Sequence, residues 1–278
     1  MKAALPKASE RRICRVLGTC RSGSRAALKG RRPGAGGRTK QIMARLQELI
    51  QLHPTFGYRR LWAILRFKEN FCVGRNTVYR LLKINGWLVT NRIKTVKPRV
   101  KSSTSQAENS DQRWAMDMTH IPCGVDGWGH LVAIIDCHDR EIIGYEFSRR
   151  GRAKEAERAL ENACLHRFGT LRPQRQMPTI RSDNGLVFQS RRFRATCHDY
   201  KLSQEFITPY TPEQNGLIER FFRSFKEECA WQHNFRNFSE ANRTICRWLH
   251  WYNHDRPHQS LGYKSPLNFR AQHLKLVA

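Results

Sequence analysis

The 278-residue sequence has no uninterrupted apolar run close to the roughly 20 residues that a membrane-spanning helix needs. Its first residues, MKAALPK, lack the apolar stretch of a secretory signal. None of its nine cysteines forms a C-x-x-C pair, which argues against the common zinc and redox motifs. These absences predict a cytoplasmic protein with reduced, mostly buried thiols and no membrane partner.

Acidic residues are scarce in the first part of the chain. Residues 1–108 contain 25 lysines and arginines but only four acidic residues, whereas residues 109–278 contain 25 and 19. The whole chain has a formal net charge of +27. Such an excess favours a polyanionic partner, nucleic acid before an anionic membrane surface. We therefore expect the basic N-terminal part to bind nucleic acid.

Composition and apolar periodicity divide the chain into five segments. A flexible Gly- and Arg-rich linker is predicted at residues 21–40, after a short helix at residues 11–17. The five predicted segments are a basic N-terminal segment and linker (1–40), a helical module (41–90), a basic and polar linker (91–110), a larger α/β domain (111–272) and a tail (273–278).

The helical module has the pattern of a small DNA-binding motif. Its apolar spacing predicts helices at residues 41–52, 58–69 and 75–85, and Gly86 is a natural stop for the third. Two short helices joined by a Gly-containing turn are typical of a helix-turn-helix. The second helix of such a motif would direct its exposed polar side chains into the major groove, where Arg reads guanine and Asn reads adenine. The predicted DNA-binding residues are Arg75, Asn76 and Arg80; the alternative is that Asn76 only caps the helix and the arginines are solvated.

The rest of the chain alternates between strand and helix patterns. Residues 113–121, 129–137 and 141–147 predict three strands of an antiparallel meander. Further elements follow this meander. They are helices at 153–168, 191–201, 216–231 and 240–253 and short strands at 179–182 and 205–208. This order predicts an α/β domain with a mixed sheet flanked by helices, preceded by the small all-α module.

Three acidic residues occupy positions that such a sheet can bring together. Asp117 lies in the middle of a strand, where Asp is disfavoured, Asp183 follows a strand, and Glu219 lies in the first turns of a helix. Mg²⁺ prefers oxygen ligands, and two such ions can promote phosphoryl transfer. We expect these three carboxylates to be catalytic and to bind two Mg²⁺ ions.

The helix that carries Glu219 has a second polar feature. Asn215, Glu219, Arg223 and Lys226 fall along one helical face. Together with Arg220, the amide and cationic residues of this helix are predicted to contact DNA beside the metal ions. The alternative interpretation is an ordinary solvated face with ion pairs.

Other polar residues receive structural or surface interpretations. Asp136 flanks the turn between the second and third strands, and we interpret it as structural or as supporting the metal ligands. Asp126 fits a hairpin turn. His250, His254 and His258 recur at four-residue steps, but Pro257 breaks the helix, so surface or DNA-proximal roles are favoured over a metal site.

Four sequence blocks carry a family resemblance. They are Trp114-Ala-Met-Asp117-Met-Thr119, Ser182-Asp183-Asn184-Gly185, the run from Thr208 to Arg220 (TPYTPEQNGLIER), and the closing run from Trp251 to Pro266 (WYNHDRPHQSLGYKSP). Thirty-five residues separate Asp183 from Glu219, and Lys226 follows Glu219 by seven positions. Over residues 41–269 the chain resembles insertion-sequence transposases, in particular their downstream-frame product, of the DDE transposase and retroviral integrase superfamily.

The resemblance implies more than the residues do by themselves. It implies a ribonuclease-H-like fold, Mg²⁺ or Mn²⁺, strand cleavage by water and then attack of the freed 3′-OH on a second DNA. It also implies a homo-oligomer in the active complex and an upstream-frame product as fusion or partner, because this chain has no heptad zipper. A nuclease of the same fold that only hydrolyses DNA, and a non-catalytic DNA-binding regulator, stay open as alternatives.

Overall fold

The computed structural model describes residues 35–89, 107–208 and 212–277. The helix predicted at residues 11–17 and most of both predicted linkers lie outside these ranges. Within them, no helix combines the length and the apolar character required to cross a membrane. The seven cysteines in these ranges are all free thiols, and five of them are buried, as predicted.

The N-terminal module consists of three helices, as predicted: α1 (Ala35–Leu52), α2 (Tyr58–Ala63) and α3 (Arg75–Ile84). A π-helical turn, Ile64–Lys68, continues α2. Helix α1 begins six residues before the predicted start. The prediction missed this first part because residues 35–40 have no periodic apolar residues that would indicate a helix. The buried core of the module includes Leu46, Leu61, Leu65, Val78 and Leu82.

The larger domain is built on a five-stranded sheet. Its strands are β1 (Arg113–Pro122), β2 (Trp128–Asp136), β3 (Ile142–Ser148), β4 (Thr179–Ser182) and β5 (Ser203–Phe206), arranged in the order β3-β2-β1-β4-β5. Strands β1, β2 and β3 form an antiparallel meander, and β4 and β5 add in parallel to β1. The predicted mixed sheet is confirmed, with β5 starting two residues earlier than expected.

Six further helices complete the described part of this domain: α4 (Ala153–Phe168), α5 (Leu186–Gln189), α6 (Arg191–Asp199), α7 (Gly216–Glu228), α8 (Phe238–His254) and α9 (Pro266–Val277). Helices α4, α5 and α6 cover one sheet face, while α7 and α8 cover the other. Sequence periodicity missed α5, which has four residues, and α9, which continues through the predicted tail boundary after residue 272.

The alternation of side chains along β1 decides which face receives the acidic residue. Trp114 and Met116 are buried against α4, whereas Ala115 and Ile121 are buried against α7 and α8. Because successive side chains of a strand point to opposite faces, Asp117 lies on the face covered by α7. That helix carries Glu219.

A buried cluster of charges lies where the C-terminal end of α4 meets the sheet. The guanidinium of Arg167 contacts carboxylates of Asp111 at 3.1 Å, Asp139 at 3.0 Å and Glu141 at 3.0 Å. Its side chain is only 2% exposed. Asp136 lies 3.7 Å from the same guanidinium and accepts backbone N–H bonds from Asp111 and His138, which supports the structural interpretation of Asp136.

The contact between β3 and α4 requires glycine at residue 144. A Cβ there would approach the Cβ of Ala163 to 2.7 Å and would also collide with the backbone oxygen of Ala159. Gly144→Ala should therefore lower the free energy of unfolding by about 1–3 kcal/mol, through overpacking. The measurement is chemical denaturation, with Gly57→Ala as control because a Cβ at Gly57 meets no atom within 4 Å. Equal stability of the two variants would contradict this account.

Candidate active site

Adjacent parallel strands place the two aspartates side by side. Arg113 of β1 pairs with Thr179 of β4, and Ala115 pairs with Arg181. The same register continued by two residues brings Asp183 level with Asp117. The sheet therefore brings together two carboxylates that are 66 positions apart in the sequence.

A tight turn after β4 holds Asp183. Its Oδ1 accepts the backbone N–H of Gly185 at 3.0 Å, and the side-chain amide of Asn184 donates to the Ile207 carbonyl at 2.9 Å. A Cβ at Gly185 would lie only 2.9 Å from Oδ1 of Asp183. These contacts explain the Ser-Asp-Asn-Gly sequence of the turn. Asn184 binds the turn to the segment after β5, and Gly185 has no Cβ that would crowd the carboxylate of Asp183.

The third acidic residue comes from helix α7. Ile218, Phe221, Phe222 and Phe225 of this helix are buried against the sheet, whereas Glu219 is exposed in its first turn. The amphipathic pattern therefore fixes which side of α7 packs and leaves Glu219 outside the apolar contact.

Asn215 occupies a different place from the exposed face predicted for it. Its side chain is buried, with the residue 2% exposed, and its amide donates to the Met116 carbonyl at 3.5 Å. This contact fastens the start of α7 to β1 beside Asp117. The helical periodicity did not apply, because residue 215 belongs to a 3₁₀ turn, Pro212–Asn215, that precedes the helix.

Sequence reasoning missed the residues that anchor the loop before α7. Arg181 of β4 donates to the Gln214 carbonyl at 2.9 Å and pairs with Glu205 at 2.9 Å. The side chain of Gln214 accepts the backbone N–H of Thr208 at 2.8 Å. The available signal was a charged residue inside the short buried strand Thr179–Ser182, the same kind of exception that singled out Asp117.

Two of the acidic residues act electrostatically on the third. The pKa of Asp117 is raised to about 7, first because the carboxyl is buried and further because of the negative charges of Asp183 and Glu219. A hydrogen bond from the Met118 backbone and the positive charge of Lys226 oppose this rise in pKa. The site therefore concentrates negative charge, and Lys226 of α7 lies near enough to lower the pKa of Asp117.

The donor chemistry of these residues fits a hard divalent cation, because all three side chains offer carboxylate oxygens. In the part of the chain that the structure describes, no group of three or more His, Cys, Asp or Glu side chains is arranged to hold a metal ion. Asp183 and Glu219 thus lie within electrostatic reach of Asp117 without forming a coordination shell.

The predicted DNA-binding residues of the module lie on the surface of α3. Arg75, Asn76 and Arg80 are all exposed. The N-cap of α3 is Gly74, without a side-chain cap, so the alternative in which Asn76 caps the helix is wrong. Contact of these residues with DNA stays a prediction.

The cationic residues of α7 have different surroundings. Arg220 is exposed, and Arg223 pairs with Glu227 at 2.9 Å along the helix, which matches the ion-pair alternative for that residue. Lys226 is partly buried and acts electrostatically on Asp117. Their contact with DNA also stays a prediction.

The three histidines at residues 250, 254 and 258 have different surroundings. His250 and His254 are exposed, with their rings stacked at 3.8 Å, as a surface role requires. His258 is only partly exposed: its ring lies 4.8 Å from that of Tyr252, beside Arg256. Burial and the neighbouring positive charges hold the pKa of His258 well below its ordinary value. The chain turns back after Pro257, pairs His258 with Lys264 and places the His258 ring against Tyr252.

Three family models match the chain in order along its length. They are an HTH-like domain at residues 38–94, an integrase core domain at residues 107–212, and a second integrase core domain model at residues 200–266. Together with the mixed sheet and the acidic face of β1, they define this protein as an integrase-core protein with an HTH-like module.

Two similar proteins indicate the family of integrase-core proteins to which the chain belongs. The chain is 32% identical over 268 residues to the "Insertion element IS476 uncharacterized 39.2 kDa protein" of Xanthomonas euvesicatoria, which covers 95% of this chain and 73% of that protein. It is 26% identical over 238 residues to the transposase InsD of insertion element IS2 of Escherichia coli, covering 83% and 78% of the two chains. The chain belongs to the insertion-sequence transposase family with an integrase core.

Solved structures show a weaker likeness. The catalytic core domain of HTLV-2 integrase in complex with magnesium covers 59% of this chain and 99% of that chain, at 17% identity and a TM-score of 0.43.

Proposed function

We propose that this transposase cleaves DNA strands at the ends of its insertion element and joins the freed 3′-OH ends to target DNA, with Asp117, Asp183 and Glu219 as its catalytic residues. The observation that supports the proposal is the pairing of β1 with β4, which directs Asp183, in the turn after β4, toward Asp117 on the sheet face covered by α7, the helix that carries Glu219. Burial raises the pKa of Asp117, and the charges of Asp183 and Glu219 raise it further, as expected for neighbouring carboxylates.

The same three carboxylates would hold two Mg²⁺ or Mn²⁺ ions. When bound, such ions supply positive charge that attracts a phosphodiester and stabilises the attacking and leaving oxygens. Bound cations would also offset the burial and the neighbouring negative charges that raise the pKa of Asp117. The Met118 and Gly185 backbone N–H groups, which donate to Asp117 and Asp183, orient these two carboxylates.

The chemistry consists of two in-line displacements at phosphorus. In the first, a water oxygen attacks the phosphorus, the bond to the 3′-oxygen breaks, and that oxygen leaves with the electron pair and gains a proton. In the second, the 3′-OH attacks a phosphodiester of another DNA and displaces its 3′-oxygen. Both steps need the phosphate held in place, and we assign this role to Arg220 and Lys226 on α7, since Arg223 is paired with Glu227.

Recognition of DNA sequence would fall to the N-terminal module. Exposed Arg75, Asn76 and Arg80 on α3 have the side-chain chemistry to read guanine and adenine edges in a major groove. The net charge of +27 supports phosphate binding by the rest of the surface. We further propose that the active complex contains several copies of this chain and the upstream-frame product, as partner or fusion.

Metal dependence tests this proposal. The purified full chain, with and without the upstream-frame product, is incubated with duplex DNA carrying the sequences that flank its gene. We expect no cleavage in EDTA, and strand cleavage followed by joining once Mg²⁺ or Mn²⁺ is added in excess. Product strands are resolved on a denaturing gel.

The other outcomes identify the alternatives. Metal-dependent cleavage without any joined product would favour a hydrolytic nuclease. Binding without cleavage in either metal, in both preparations, would favour a DNA-binding regulator. Equal cleavage in EDTA would contradict a metal-dependent site.

A further inference from the structure

The last residue of α7 connects the integrase core to the N-terminal module. Glu228 accepts a hydrogen bond from Arg60 of α2 at 2.6 Å. It also accepts bonds at 2.6 and 2.7 Å from Arg256, which follows α8. The side chains of Glu228 and Arg256 are 6% and 4% exposed. One buried carboxylate therefore joins two guanidinium groups that lie 196 positions apart in the sequence.

Glu228 is charged in this setting. Burial by itself would raise the pKa of its carboxyl, but the hydrogen bonds and positive charges of Arg256 and Arg60 hold the pKa below its ordinary value. A buried ion pair is strongly disrupted when one partner is lost, because the remaining charge has no compensation. Losing one member of the Arg60–Glu228–Arg256 triad would therefore leave part of its charge uncompensated at this contact.

Further contacts surround the triad and make the interface broad. Trp251 of α8 lies 5.5 Å from the ring of His53 and 6.0 Å from that of Phe56. Lys68 pairs with Asp255 at 2.7 Å. The rings of Trp62 and Tyr263 meet edge to face at 5.3 Å. The module therefore packs on the core through charged and aromatic contacts together.

Helix α7 has the candidate metal ligand at one end and this interface at the other. Glu219 and Glu228 are nine positions apart, which corresponds to roughly 14 Å along a helix axis at about 1.5 Å per residue. Since the apolar face of α7 is buried on the sheet, the helix is a rigid connection between the two.

We infer that Glu228 is a positioning residue that fixes the DNA-binding module relative to Glu219. By holding Arg60, it sets the distance and orientation between the DNA bound on α3 and the acidic site, and so selects which phosphodiester is cleaved. This inference rests on the proposed function. It also assigns a role to Arg256. This residue lies in the closing sequence block, Trp251 to Pro266, and has no part in the proposed catalysis.

The test compares Glu228→Gln and Arg60→Met with Glu227→Gln in the full chain. Glu227 is the matched control: it has the same charge one position away, but it is partly exposed and pairs with Arg223 within α7. Arg60→Met leaves the Glu228–Arg256 pair intact. It therefore still tests the inference if circular dichroism shows that Glu228→Gln does not fold.

Two readouts are measured on each variant. The first is hydrogen–deuterium exchange of α2 and of residues 251–258, which reports docking without DNA. The second maps the cleavage position on an end-labelled duplex with Mg²⁺ present, with DNA affinity measured in parallel. We expect faster exchange in Glu228→Gln and Arg60→Met, affinity within about threefold of wild type, and cleavage at the wild-type position reduced on the order of tenfold to a hundredfold, with cuts at neighbouring positions. Glu227→Gln should keep the wild-type pattern.

Unchanged exchange in both test variants would overturn the docking role of Glu228. Faster exchange with wild-type cleavage rate and position would overturn the positioning role. If wild type and Glu227→Gln also cleave nothing, the proposed function fails and the positioning role with it, while the exchange readout still reports the docking contact.

Discussion

Replacing Glu219 with glutamine should abolish strand cleavage and strand transfer and leave DNA binding intact. Glutamine keeps the shape of the side chain but carries no negative charge, so it is a poor ligand for Mg²⁺. The loss of several kcal/mol of charge stabilisation corresponds to a decrease of roughly 1,000-fold or more in rate, since each 1.36 kcal/mol or so changes the rate about tenfold. The measurement is the rate of strand cleavage in Mg²⁺, with DNA affinity determined separately by titration.

Glu227→Gln is again the appropriate control for this experiment. It removes the same charge from the same helix at a partly exposed position, so a general effect of charge on DNA binding would appear in both variants. Only Glu219→Gln should lose cleavage. Wild-type cleavage by Glu219→Gln would remove residue 219 from the catalytic set and contradict the proposed three-carboxylate site.

Replacing Arg167 with methionine should strongly destabilise the integrase core. Arg167 is the common partner of Asp111, Asp139 and Glu141, and its side chain is 2% exposed. Removing one partner of a buried ion pair costs about 3–5 kcal/mol. Arg270 lies 3.5–3.8 Å from the same three carboxylates and would compensate their charge only in part, so a loss near the lower end of this range is expected. Thermal unfolding should show a Tm lowered by roughly 10 °C, at about 2–4 °C per kcal/mol for a domain of this size.

A surface arginine of the same helix provides the control for Arg167. Arg158 pairs with Glu146 at 3.2 Å, with its side chain 49% exposed, so Arg158→Met should cost less than about 1 kcal/mol. A comparable loss of stability in both variants would show that the buried cluster has no special role.

The effect of Arg167→Met should also depend on pH. Burial already raises the pKa of Asp136, as it does that of Asp111, and Arg167 opposes the rise in both. Without Arg167 these folded-state pKa values rise further, so the folded variant takes up protons at a higher pH than wild type does. The destabilisation relative to wild type should therefore be largest at neutral and alkaline pH and should shrink as the pH falls toward 5. A difference in Tm that does not vary with pH would contradict this explanation.

Local patterns were sufficient to predict most of the secondary structure and the candidate catalytic residues. Alternating residues around Asp117 predicted β1, and apolar spacing predicted α7 with Glu219 in its first turn. Acidic residues that violate local propensity are informative, because a mid-strand Asp has little structural justification. The errors fell where local signals are weak or absent: the start of α1, the short helix α5 and the 3₁₀ turn that buries Asn215.

The mixed α/β architecture, the helix-turn-helix-like module and the three candidate acidic ligands could be predicted from the sequence. Each of them produces a periodic or compositional pattern over a few neighbouring residues. Tertiary structure alone decided that Arg167 is enclosed by carboxylates, that Arg181 anchors the loop before α7, and that Glu228 joins the module to the core. Charged residues of these types are normally solvated, and their burial depends on partners tens to hundreds of positions away in the chain. The partners of a buried charge cannot be recognised from neighbouring residues in the sequence, because they come together only when the chain has folded.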